Sequence, residues 1–204
     1  MQKVEKNIVI LISGSGSNMA AILKAAEKEQ WRDRFGARIA CVVSNRIDSQ
    51  GLVAAQALGV VTQVIDHKLF TSREAFDAAL QSAIDRYQPV LVVLAGFMRI
   101  LTAGFVAHYE GRLVNIHPSL LPAFSGLNTH QRAIDAGCKV AGATVHVVTS
   151  ALDHGEVLAQ AVVPILLGDN AASLAARVLA QEHVIYPQVL GRLLQALTYS
   201  DHPD

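Results

Sequence analysis

The sequence predicts an α/β protein built on a doubly wound, mostly parallel sheet with an antiparallel C-terminal extension. Three observations carry that reading. Short β-branched apolar runs alternate with helical segments through the first hundred residues. A glycine-rich turn, SGSGSN at 13–18, follows the first apolar run at once. In the second half two apolar runs are separated only by a short turn, which reads as a hairpin-like pair.

The elements follow in order. Residues 7–12 (NIVILI) read as a buried parallel strand. A helical pattern then runs from Met19 to Lys28. A second strand is expected at 37–45, a helix at 51–59 closed by Gly59, and a third strand at 60–65. The amphipathic run 72–88 has Ser72 as its cap and Glu74 in its first turn. Pro89 ends it, and 90–97 (VLVVLAGF) is the most apolar strand. Residues 112–122 start as a strand and break at Pro118; 129–137 read as a helix. Strands are expected at 141–150 and 156–165, and a long helical region at 173–197, interrupted near Pro187. The last residues, TYSDHPD, read as a frayed tail. With no repeat, linker or low-complexity segment, residues 1–204 read as one domain.

Composition narrows the function classes. The chain is 51% hydrophobic but only 5% aromatic, so aliphatic packing must fill the core. Formal net charge is zero, which argues against a nucleic-acid surface or an anionic membrane partner. An anionic substrate must then be held locally, by backbone amides and a few basic side chains. The N-terminal apolar stretch is too short for a signal segment or a membrane span, so a cytoplasmic protein is expected. Cys41 sits in an apolar run and reads as a small buried hydrophobe; no context supports pairing it with Cys138. No HExxH or paired-cysteine motif occurs, so no metal is expected. No G-x-S-x-G elbow points to a serine hydrolase.

Several segments can carry chemistry. A glycine turn between strand and helix aims backbone N–H groups above the strand end, which suits a phosphate. Ser15, Ser17 and Asn18 can add donors there, although a tight turn alone would need the same glycines. In NIHPSLLP, Asn115 and His117 stand two apart at a strand end and so face the same side. An amide donor beside an imidazole can stabilise an oxyanion and move a proton; the alternative is that both satisfy loop carbonyls. Asp153, in the turn LDHG, either bonds its own backbone or orients His117. His146 lies in an alternating strand and reads as a buried, satisfied histidine or a group behind the site; His130 and His183 lie on helices. In AGFMRIL, Gly96 permits close approach of a ligand, Arg99 is a charge in apolar surroundings, and Met98, Ile100 and Leu101 can line a flat aromatic ligand.

Taken in order, SGSGSN, LAGFMRIL, NIHPSLLP, G-x-T-V-H and LD-x-G resemble the phosphoribosylglycinamide formyltransferases, folate-dependent enzymes of de novo purine synthesis. The resemblance spans about residues 7–190 and implies a Rossmann-like formyltransferase fold. In that fold about 1–100 would bind phosphate or nucleotide, and about 101–204 would bind folate and carry catalysis. It implies a catalytic group of Asn115, His117 and Asp153. It implies phosphate binding by Gly16, Ser17, Asn18 and Arg73, and substrate contacts at Met98 and Glu182. The folate pocket would be walled by Arg99, Ile100, Leu101, Thr149, Leu152 and Asp153. Thr144 and His146 would stand behind the catalytic group. The co-substrate implied is 10-formyltetrahydrofolate, with glycinamide ribonucleotide as acceptor and no metal; a homodimer is left open. The chain departs from several relatives in AFSGLNTH, which leaves the role of Asn128 open. A formyltetrahydrofolate hydrolase would share the catalytic trio but usually adds an N-terminal domain, and here the first strand starts by residue 7. A methionyl-tRNA formyltransferase would need further length and basic surface. A non-catalytic nucleotide-binding module would explain SGSGSN alone.

Overall fold

The computed structural model describes residues 5–200. Parts of the terminal readings, on 1–4 and 201–204, fall outside them.

One seven-stranded sheet organises the chain. Its strands are β1 (Lys6–Ile12), β2 (Ala37–Ser44), β3 (Thr62–Val64), β4 (Pro89–Leu94), β5 (Leu113–His117), β6 (Val140–Val147) and β7 (Val157–Pro164). They lie in the order β3-β2-β1-β4-β5-β6-β7. The first five are parallel; β6 pairs antiparallel with β5, and β7 antiparallel with β6. The strand-helix alternation and the antiparallel extension read from the sequence are both present.

Side-chain alternation splits the core in two. Ile8, Ile10 and Ile12 of β1 point to one face, where they pack with α1 (Ser17–Lys28), α2 (Trp31–Phe35), α3 (Gln50–Ala57) and α7 (Ala171–Ser200). Val9 and Leu11 point to the other, against α4 (Arg73–Asp85) and α5 (Ala103–His108). The remaining helix, α6 (Thr129–Asp135), follows β5.

Four expectations are corrected. The third strand shrinks to three half-exposed residues at the sheet edge, where only one neighbour offers hydrogen bonds. The short helices α2 and α5, of five and six residues, were absent from the sequence reading because they complete too few turns to show a periodicity. Pro187 does not interrupt α7, which runs through it for 30 residues. A proline there lacks an N–H and crowds the carbonyl four residues back. Burial of Tyr186, Val189 and Leu190 outweighs that cost. Thr198, Tyr199 and Ser200 of the expected tail belong to the same helix. Among the described residues no helix is long and apolar enough to cross a membrane.

Candidate active site

The strand order reverses between β1 and β4, and ligands of open α/β sheets bind in the crevice above that point. There the loops after β1 and β4 are stitched together. Ser13 N–H donates to the Gly96 carbonyl at 3.2 Å, and Met98 N–H donates to Ser13 Oγ at 2.8 Å. Above them lies a cleft of about 540 Å³. Its wall is formed by 13–18, Asn45, Arg46, His67, Gly96, Met98, Arg99, Ile116, Pro118 and Glu182, among others.

Gly16 caps α1 in the left-handed region, with φ 72°, and no side chain caps the helix start. The amides of the first turn therefore have no intrahelical partners. A Cβ at Gly16 would stand 2.9 Å from Gly51 Cα, at the start of α3, and equally close to the Met19 side chain. Gly51 N–H and Ser49 Oγ both donate to the Gly14 carbonyl, at 3.0 and 2.7 Å. The glycines thus serve both a positive φ and a close backbone contact.

The Asn18 side chain reaches across to α7. Its Nδ2 donates to Glu182 Oε2 at 2.6 Å, with both residues buried, and its Oδ1 is buried without a partner. Burial pushes the Glu182 carboxyl above its usual range, against the opposing effects of the Asn18 hydrogen bond and the nearby His117 ring. Met98 is largely exposed at the cleft. Arg99 lies over the Phe76 ring, 5.1 Å from its centre, with its Nε buried and unpartnered.

The other end of the crevice belongs to β5. Asn115 and His117 share a face, as their spacing requires, and β6 places His146 opposite Asn115 and Thr144 opposite His117. His146 is fully enclosed, and burial pushes its pKa down. Its Nδ1 lies 3.0 Å from the Val147 carbonyl, which can only accept, so the ring proton sits there. Nε2 is left to accept from Asn115 Nδ2 at 3.3 Å. One Asn115 N–H is committed to that bond and fixes the amide plane; the other is not.

His117 has oxygen at both ring nitrogens. Nε2 donates to the Phe124 carbonyl at 3.1 Å, and Nδ1 lies 3.6 Å from Asp153 Oδ2. Both side chains are under one-tenth exposed. Asp153 takes a left-handed backbone conformation, φ 55°, and accepts from Gly126 N–H at 2.9 Å. Loop 118–128 after β5 and turn 148–156 between β6 and β7 are thereby joined beside the imidazole. Thr144 pins the first of these: its hydroxyl donates to the Ser119 carbonyl at 2.6 Å and accepts from Leu121 N–H at 3.0 Å. Gly155 passes so close to the Val147 carbonyl that any Cβ would collide with it.

The predicted site residues therefore divide. Gly16, Ser17, Asn18, Met98, Arg99 and Glu182 line one cleft; Asn115, His117, Asp153, Thr144 and His146 cluster at β5 and β6. Leu101 packs, with Phe97 and Val148, on the α4–α5 side of the core, which brings the loop after β4 and the turn after β6 to one side of the sheet. Ile100 and Leu152 are more than half exposed there, and Thr149 is exposed. Arg73 is not brought in: it is the exposed first residue of α4 and does not line the cleft. Helix α4 packs on the face opposite α1, and the basic side chains at the wall are Arg46 and Arg99. Asn128 takes φ 57° at the start of α6 without capping it. Sequence reading missed Asn45 and His67. The signal available was polar residues closing apolar strands, SN after 37–43 and DH after 60–65.

A helix terminus with unpaired amides, beside an amide, an imidazole and a carboxylate gathered at the end of β5, suits a group-transfer enzyme of the α/β class. The chain belongs to the formyl transferase family, whose sequence model matches residues 6–190. Phosphoribosylglycinamide formyltransferase of Escherichia coli K12 is 48% identical over 184 residues, 90% of this chain and 85% of that protein. The trifunctional purine biosynthetic protein adenosine-3 of Bos taurus is 40% identical over 93% of this chain, which spans 18% of that longer protein. The solved phosphoribosylglycinamide formyltransferase of Brucella melitensis superposes with a TM-score of 0.86 at 50% identity, over 93% of this chain and 96% of that one.

Proposed function

We propose that this chain transfers the formyl group of 10-formyltetrahydrofolate to the amine of glycinamide ribonucleotide. The products are formylglycinamide ribonucleotide and tetrahydrofolate, in cytoplasmic de novo purine synthesis. The observation that carries this reading is the Asn115–His117–Asp153 group, with His117 buried and Asn115 half-buried, set beside a cleft that ends on an uncapped helix N-terminus. The substrate phosphate takes the amides after Gly16, and its glycinamide arm runs past Met98 and Glu182. The folate lies against Arg99, Ile100, Leu101, Thr149 and Leu152, where exposed apolar side chains favour a flat ring system. The first half of the chain thus supplies the phosphate end; the second supplies catalysis and much of the folate wall.

The amine nitrogen attacks the formyl carbon, and the carbonyl π pair moves to oxygen. The uncommitted N–H of Asn115 donates to that oxyanion. The proton on the attacking nitrogen must reach the folate N10 as the C–N10 bond breaks. His117, held between Phe124 and Asp153, relays it, and Asp153 balances the charge that the ring carries meanwhile.

The test follows the folate absorbance change with and without glycinamide ribonucleotide. Amine-dependent turnover is expected. Turnover without amine would indicate a hydrolase, and none a binding module. Asn115→Ala and His117→Ala should each lose about 10²–10³ in kcat while folding normally. Wild-type turnover by purified His117→Ala would overturn the assignment.

A further inference from the structure

The polar side chains at the β2–β3 end of the cleft have no part in the reaction just described. His67 starts the 3₁₀ turn after β3 and lines the cleft beside Asn45. Its Nδ1 lies 2.8 Å from the Asn45 carbonyl and 3.2 Å from Asn45 Nδ2. The shorter contact assigns the proton, because a carbonyl can only accept: Nδ1–H donates to it. Nε2 makes no hydrogen bond among the described residues, and the side chain keeps 23% exposure. The ring is also fixed edge-on against Phe76, with centroids 6.5 Å apart.

His67 is tied to the rest of the crevice. Ser13 Oγ accepts from Met98 N–H and donates to Asn45 Oδ1 at 2.6 Å. Asn45 then holds His67. The ends of β4, β1, β2 and β3 are joined by this chain of contacts, so the ring is set as rigidly as the glycine loop. The charges around it are few. Asp66 Oδ1 is 3.7 Å from Nδ1, and Lys68, on the same turn, is exposed. Arg99 covers the Phe76 ring, and Glu182 lies in the same cleft wall. Arg46 is the neighbouring cation, but Asp48 grips its guanidinium through two bonds of 2.9 and 2.7 Å. It meets a ligand as half of a neutral pair.

We propose that His67 is a specificity-determining residue that reads the substrate phosphate, its protonated ring donating Nε2–H to a phosphate oxygen while Nδ1–H stays on Asn45. This rests on the phosphorylated-substrate reading above. Both ring nitrogens then donate, one to the Asn45 carbonyl and one to the phosphate, so the contact is charge-assisted. A phosphorylated amine is thereby favoured over its unphosphorylated nucleoside by a group distinct from the backbone amides.

Steady-state kinetics test this at about pH 7.5, where the phosphate is mainly dianionic. The enzymes are wild type, His67→Asn and His67→Gln. The acceptors are glycinamide ribonucleotide and its dephosphorylated nucleoside, at saturating 10-formyltetrahydrofolate. Asn keeps the contact to the Asn45 carbonyl and removes the distal nitrogen; Gln restores a neutral donor near the Nε2 position. His67→Asn should raise KM for the nucleotide about tenfold, the loss expected for a charge-assisted hydrogen bond. Its kcat and folate KM should stay within about twofold. Selectivity over the nucleoside should fall by the same tenfold. His67→Gln should be intermediate in KM for the nucleotide, because it restores a neutral donor. An unchanged nucleotide KM in His67→Asn, or equal losses for nucleotide and nucleoside, would overturn the role of His67. If His67→Asn does not fold, the selectivity of His67→Gln between nucleotide and nucleoside decides alone. Absence of amine-dependent turnover in the wild type would instead sink the proposed reaction.

Discussion

Asn115 has two amide protons, and His146 takes one of them. That bond exists because burial keeps His146 neutral and the Val147 carbonyl holds its proton on Nδ1. In the proposed reaction the histidine is a positioning group: it sets the plane in which the free N–H of Asn115 points. Truncating it to alanine should cost about 10–100-fold in kcat with little change in either KM, since a displaced donor loses transition-state contact first. Equal changes in kcat and both KM values would mean general disruption instead. At this scale the sequence was partly legible. The two-residue spacing placed Asn115 and His117 on one side, because strand geometry allows nothing else. Asp153 was readable only through the order of motifs, since a turn carboxylate has no period. His146 was left between a buried histidine and a group behind the site; it is buried and bonded to Asn115. Asn45 and His67 escaped because they meet only after three strands align.

Among the elements, α7 does most to couple core and cleft. Tyr186 is fully buried, with its hydroxyl 3.0 Å from the Leu94 carbonyl and 2.9 Å from that of Val114, the residue before Asn115. One turn earlier the same helix presents Glu182 to Asn18. Burial raises the folded-state pKa of Glu182 above its ordinary 4.5, so the sign of its linkage is definite. Its contribution to stability is fully present below the unfolded value and is lost as pH rises through the folded one. Glu182→Gln keeps an acceptor for Asn18 and removes the buried charge. Thermal melts from about pH 4.5 to 8 should show the variant gaining on the wild type as pH rises, then running parallel to it. A constant offset over the whole range would refute the argument. Strong apolar runs made β1, β2 and β4 legible, while α7 shows why a proline rule failed: propensity is a weak prior beside the burial of a whole helical face.

For the molecule as a whole, the strand order explains why the site is where it is. The switch between β1 and β4 opens the crevice, and the reversal at β6 turns His146 and Thr144 toward β5. Alternation of strand and helix in the sequence was enough to infer the sheet, because parallel strands need crossovers and crossovers need helices. The pairing of distant strand ends was not inferable, since no local pattern records which loops will become neighbours.

The touching backbones of Gly16 and Gly51 have a further consequence. The start of α3 acts as an anvil behind the glycine loop, so two stretches far apart in the chain must keep one thickness between them. Added bulk at Gly51 would meet Ile12 Cδ1 at 2.6 Å and Gly16 Cα at 3.0 Å. Gly51→Val should therefore behave as a substrate-binding mutation although residue 51 does not line the cleft. KM for the phosphorylated acceptor should rise several-fold while that for folate changes little. Equal damage to both constants would mean that the blow spread through the core instead of landing on the loop. Inherited variation at residue 51 would then be judged by the fit of a phosphate, and tolerance at one segment would depend on what the other segment carries.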